Sequence, residues 1–117
     1  MIKKILLSSL LSLALFSSAA IAHPGGHGPV GEEEAIFIAS SVALQFIDFD
    51  AGLGFGKLAP SWKNIADKDK KIYKKDTYYY IVSIHNSAKN KTLYFLLSNT
   101  GEVFDANFSG VFPNLKE

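Results

Sequence analysis

Few side chains in this 117-residue chain could do polar chemistry: three histidines, eleven carboxylates and no cysteine. Two of the histidines, His23 and His27, fall in the run His23-Pro24-Gly25-Gly26-His27-Gly28-Pro29. A chain beginning at His23 would set its α-amino nitrogen beside its own imidazole, a chelating pair for Cu(II). Imidazole serves copper, zinc and nickel alike, and His27 adds a third nitrogen across the glycines. The amino-terminal copper motif with histidine in third place is absent, because Gly25 would hold that position. The plain alternative is a solvated tail that binds metal weakly, as short histidine tracts do.

Other chemistries fare worse. Hydrolysis by a nucleophile needs a base and an orienting group in contact with it. Cysteine is missing, no serine lies in a nucleophile-elbow pattern, and His85 is the one histidine outside the tail. Of Asp48, Asp50, Asp67, Asp69, Asp76, Glu102 and Asp105, most look like turn or cap residues. The reading is a non-enzyme. The alternating glycines of Gly52-Leu53-Gly54-Phe55-Gly56 follow an expected helix, whereas a phosphate loop follows a strand and opens a helix. All twelve basic residues are lysine. Without arginine's bidentate fork, a dedicated nucleic-acid binder is not expected.

Residues 1–22 have the three zones of a secretory signal: Lys3 and Lys4, an apolar run from Ile5 to Phe16, and Ala20-Ile21-Ala22 before the expected cut at His23. The run is short for a bilayer span, which needs about 20 residues. Export to the periplasm follows. With no cysteine there is neither a lipoprotein anchor nor a disulfide. Removal of 22 residues leaves 95, enough for one small domain, with ten lysines against eleven acids. No second stretch is long and apolar enough for a stable membrane anchor after processing.

The elements that must position the remaining groups are legible from periodicity. Residues 23–31 read as a flexible His/Gly/Pro tail. Glu32 to about Phe49 reads as a helix, with Ala35, Ile38, Ala39, Val42, Phe46 and Phe49 on one stripe and Gly31 as cap. Phe37 is the misfit on its polar side. The glycines then stop the helix, with Leu53 and Phe55 tucked inward. Trp62 reads as a core plug whose ring nitrogen meets a backbone carbonyl, or as a ligand-stacking ring. Lys71 to Lys75 reads as a lysine-rich edge strand, Thr77 to Ile84 and Thr92 to Ser98 as central strands, and Glu102 to Phe108 as the last. Phe104, Ala106 and Phe108 are expected to alternate inward. The fold class is α+β: one N-terminal helix across a three- to four-stranded antiparallel sheet spanning 32–112, with 113–117 as a tail.

Four segments carry a resemblance: Glu32-Glu33-Glu34-Ala35, Tyr80-Ile81-Val82-Ser83-Ile84, Leu93-Tyr94-Phe95-Leu96-Leu97 and the Thr100-Gly101-Glu102-Val103 turn. In these the chain resembles the PepSY domain. With its His/Gly tail, Gly28-Pro29-Val30, Ser61-Trp62 and Ala106-Asn107-Phe108-Ser109-Gly110, it also resembles an uncharacterised family of short exported proteins from Gram-negative bacteria. The PepSY resemblance implies a small extracytoplasmic binding or inhibitory module, often associated with peptidases or membrane proteins, and no catalytic residues. The glycine connector and the tyrosine-rich strand depart from the usual PepSY pattern.

Tyr73, Tyr78, Tyr79 and Tyr80 are too many for one helix to cover, so some should be exposed. Tyr78, Tyr79, Tyr80 and Trp62 are the candidate interaction surface, for an envelope protein or peptide or for a second copy in a homodimer. The lysines of residues 63–75 read as a solvated hairpin or as a contact for an anionic partner. A periplasmic metal-binding accessory using His23 and His27 is the alternative.

Overall fold

Three glutamates in the first turn, where negative charge suits the helix dipole, open a helix at Glu32–Asp48, α1. The computed structural model describes residues 28–113 and 115, so the expected signal segment, His23, His27, Asn114, Lys116 and Glu117 lie outside the described residues. Gly31 caps α1 in extended conformation, and its carbonyl accepts the Ala35 N–H at 3.0 Å. Ala35, Ala39, Val42, Ala43 and Phe46 form the buried stripe. The small alanines let the helix backbone approach the sheet closely. Phe37 is exposed on the opposite side, as the periodicity implied.

The connector after α1 turns on Gly52, Gly54 and Gly56, all at positive φ (79°, 98° and 72°), a region that L side chains rarely adopt. Asp50 accepts the Gly52 N–H at 2.8 Å, and the chain returns to the helix end where the Leu58 N–H donates to the Phe46 carbonyl at 2.9 Å. Leu53 and Phe55 pack on the core, and Phe55 meets Phe46 at 6.1 Å between ring centroids. Two short 3₁₀ turns follow, Pro60–Asn64 and Asp67–Asp69.

Four antiparallel strands then run as a meander in the order β1 (Lys70–Lys75), β2 (Tyr79–Asn86), β3 (Lys91–Ser98) and β4 (Val103–Asn107). The near face of the sheet carries Tyr80, Val82, Ile84, Leu93, Phe95 and Leu97 against α1. At the centre of that layer Phe46 stacks on Phe95, with centroids 5.9 Å apart and planes inclined 24°. The expected covering of a sheet by a single helix is what the structure shows.

Three expectations need correction. Val30, assigned to the tail, belongs to the core: its side chain is buried, its N–H donates to the Asn99 carbonyl at 2.8 Å, and its carbonyl accepts the Tyr80 hydroxyl at 2.7 Å. Phe104 points away from α1 and is 52% exposed. In β4, Asp105 pairs with Leu96 but Val103 pairs with Leu97, so Phe104 is one residue extra. That bulge resets the alternation and gives the inward positions to Val103 and Ala106. Phe49, expected on the buried stripe, is 40% exposed at the helix end, while Trp62 is buried against Phe108 as a core plug, with 6.0 Å between centroids.

Candidate functional site

The far face of the sheet, away from α1, is also apolar. Tyr79 and Ile81 of β2, Leu96 of β3 and Phe112 form a second buried cluster, with Tyr94 and Leu115 packed at its side. A sheet with two apolar faces and one helix needs a second cover. Here it is the segment after β4. Asn107 turns the chain back: its Oδ1 accepts the Gly110 N–H and its Nδ2 donates to the Val111 carbonyl, both at 2.8 Å. Phe112 then lies on the sheet, and the Leu115 N–H closes a turn onto the Phe112 carbonyl at 3.0 Å. The face expected to be open is thus partly covered by the chain's own C-terminal segment.

Both edge strands are interrupted, and in the same way. In β1 the pairing jumps between Ile72 and Lys74, leaving Tyr73 extra; in β4 the extra residue is Phe104. Each bulge throws an aromatic ring onto a margin of the far face. Tyr73 meets Tyr94 edge-on at 4.9 Å and stays 56% exposed. Phe104 borders a cleft of about 280 Å³ with Leu96, Asp105, Phe112 and Leu115. Bulges also guard free edges against unwanted pairing, as do the lysines of β1.

The candidate surface residues separate accordingly. Tyr78 precedes β2 and is 76% exposed, whereas Tyr79, Tyr80 and Trp62 are all buried. These three therefore do not form a solvent-facing surface, because Tyr80 and Trp62 serve the α1 core and Tyr79 the far cluster. The aromatic rings that do reach solvent near the far face are Tyr73 and Phe104. Tyr73 stood among the surplus tyrosines, but nothing in the periodicity separates it from its neighbours, since a bulge has no fixed sequence signature. The Tyr79 hydroxyl is buried without a hydrogen-bond partner, a costly state that a ligand could relieve. The Lys74 ammonium lies 5.9 Å from the Tyr79 ring centroid.

Among the described residues, Asp105 is the one carboxylate lining the far-face cleft. Burial pushes its carboxyl above the ordinary 3.8, opposed by the Ala106 N–H that donates to Oδ1 at 2.8 Å. With the folded value above the unfolded one, the folded state holds the proton more tightly. The associated stability is complete below 3.8 and is lost as pH rises through the folded value. Asp105→Asn keeps an oxygen for the Ala106 N–H and loses this dependence. Urea midpoints measured from pH 3 to 7 should show variant and parent converging at the acid end, with the variant the more stable above it. Parallel profiles would contradict the assignment.

Other polar groups near the sheet have partners within the chain. His85 Nδ1 lies 2.8 Å from Thr92 Oγ1, and the buried Asn86 donates to Ser61 Oγ at 3.0 Å. Both residues border a cleft of about 410 Å³ beside the 3₁₀ turns. Within the lysine stretch Lys70 pairs with Asp67 at 3.9 Å and Lys68 with Asp69 at 3.5 Å, while Lys75 reaches Glu32 of α1 at 3.2 Å. Such exposed pairs contribute little. Among the described residues no three His, Asp or Glu side chains gather to hold a metal ion, and no helix is long and apolar enough to cross a membrane.

Residues 1–111 match the model of DUF6488, described as a family of unknown function. The chain belongs to DUF6488. No curated protein and no solved structure matches it. The DUF6488 span takes in α1, all four strands and both bulges, and ends just before Phe112, so the ring seated on the far face lies beyond the matched residues.

Proposed function

We propose that this DUF6488 protein is an exported, non-catalytic binding module of the periplasm that docks a protein or peptide on the far face of its sheet. The observation carrying this reading is the pair of aromatic bulges. Tyr73 and Phe104, on opposite edge strands, both stand at the margin of an apolar face that α1 does not cover, and both are more than half exposed. Exposed aromatics beside apolar surface are costly to keep in solvent and are enriched at interfaces. The order of one helix followed by an antiparallel meander, with the Thr100-Gly101 turn joining the last two strands, is the order that a PepSY-like module implies. The signal-like residues 1–22 support the compartment.

A photo-crosslinking amino acid placed singly at Tyr73, Phe104 and Phe37 tests the docking face in the native cell envelope. Phe37 is 69% exposed on the outer side of α1 and serves as control. The expected result is one shared adduct from positions 73 and 104 and none from 37. Adducts from 37 alone would move the site to the helix. An adduct of twice the chain mass would replace the envelope partner with a second copy.

A further inference from the structure

We infer that the cleft between Leu96, Phe104, Asp105, Phe112 and Leu115 is a specificity pocket for one basic side chain, arginine or lysine, of the docked partner. The inference rests on the docking reading above and names what that face selects. Three observations converge on it.

Among the described side chains that line the pocket, all but one are apolar. Two aromatic and two aliphatic side chains line it, with one carboxylate among the described residues, in about 280 Å³. That space suits the stem of one long side chain. Apolar side chains around one fixed charge are the arrangement that sets orientation and selectivity in small binding sites. A long basic side chain matches both parts: its methylenes cover apolar surface while its cationic end meets the carboxylate.

The carboxylate is only half used. Asp105 Oδ1 accepts the Ala106 N–H at 2.8 Å, and no other hydrogen bond or ion pair reaches the group among the described residues. The same N–H fixes the side chain in place, so the second oxygen is oriented before any ligand arrives. Desolvation without a cation to compensate it is unfavourable, consistent with the raised titration of this group. A residue kept at a cost to the fold beside an exposed aromatic fits a site held for binding.

Position supplies the third. Asp105 follows the bulge at Phe104 directly, and that bulge turns the Phe104 ring to the rim of the pocket. A guanidinium entering past Phe104 would pass an aromatic face, and arginine over an aromatic ring is attractive. The chain already shows the same chemistry elsewhere, where the Lys91 ammonium lies 5.2 Å from the Phe108 ring centroid.

The test uses three capped tripeptides, acetyl-Leu-Arg-Leu-amide, acetyl-Leu-Gln-Leu-amide and acetyl-Leu-Glu-Leu-amide, titrated into ¹⁵N-labelled protein. Amide shifts of Leu96, Phe104, Asp105 and Leu115 should move with the arginine peptide, which should bind about tenfold more tightly than the glutamine peptide, the glutamate peptide being weakest. Asp105→Asn and Asp105→Ser, both keeping an acceptor for the Ala106 N–H, should erase the arginine preference. Glu102→Gln, a neutralised carboxylate outside the pocket, should leave it intact. Equal binding of the arginine and glutamine peptides, an arginine preference that survives both Asp105 variants, or shifts confined to other residues would overturn the inference. Shared crosslinks from positions 73 and 104 without an arginine preference would remove the pocket and leave the docking face. An arginine preference without those crosslinks would do the reverse.

Discussion

Phe46→Ala should cost about 3–5 kcal/mol of folding stability, the range for deleting a fully buried aromatic ring. Phe46 is 1% exposed and is the meeting point of three rings: Phe95 at 5.9 Å, Phe55 at 6.1 Å and Phe49 at 6.2 Å between centroids. It joins α1, the glycine connector and β3, so its loss opens a cavity that no single neighbour can fill. A small domain has roughly 5–15 kcal/mol in total, and the variant would keep a small part of it. Urea denaturation followed by circular dichroism measures the loss. A cost under about 1.5 kcal/mol, the range of a volume-conserving swap, would show that the ring is not the centre of the core.

Gly101→Val ranks second. Gly101 sits at φ +97° in the β3–β4 turn, and a Cβ there would lie 2.9 Å from Ile38 Cδ1 and 3.5 Å from Val30 Cγ1. Strained backbone of this kind costs about 1–3 kcal/mol, and overpacking adds about 1–3 kcal/mol more. The turn is held by the Ser98 N–H to the Glu102 carbonyl at 2.8 Å and the Gly101 N–H to the Ser98 carbonyl at 3.0 Å. It also faces the Val30 anchor, so the substitution acts on the helix entrance as well as on the hairpin. The same urea experiment should show a loss of about 2–5 kcal/mol, with reduced amide protection at Val30 and Asn99. An unchanged midpoint would mean that the turn can relax into a conformation open to a β-branched residue.

Much of the fold was legible because its signals are local. The helical stripe from Ala35 to Phe46 and the alternation of Tyr80, Val82 and Ile84 with Tyr79 and Ile81 each report which side chains share a face. The positive-φ glycines mark the connector by type alone. Val30 escaped because a single valine after Gly-Pro has no period, and only its bonds to Asn99 and Tyr80 make it core.

The candidate site was legible only in outline. A surplus of tyrosines indicates that some rings must be exposed, but not which ones. Tyr73 and Tyr78 are exposed and Tyr79 and Tyr80 are buried because strand boundaries and one extra residue in β1 assign them so. Asp105 was one carboxylate within the expected last strand; its place in the far-face cleft comes from the bulge before it and from Phe112 folding back over the sheet.

What the amino-acid order determined unaided was the class of the fold: one amphipathic helix covering one face of an antiparallel sheet, with α1 and the central strands near their observed limits. Periodic burial is a property of neighbours along the chain, so it can be seen there. Tertiary structure alone decided the second face, its C-terminal cover and the two displaced aromatics. These depend on pairing register and on contacts between distant segments, and a one-residue slip in register exchanges inside for outside without altering composition or pattern.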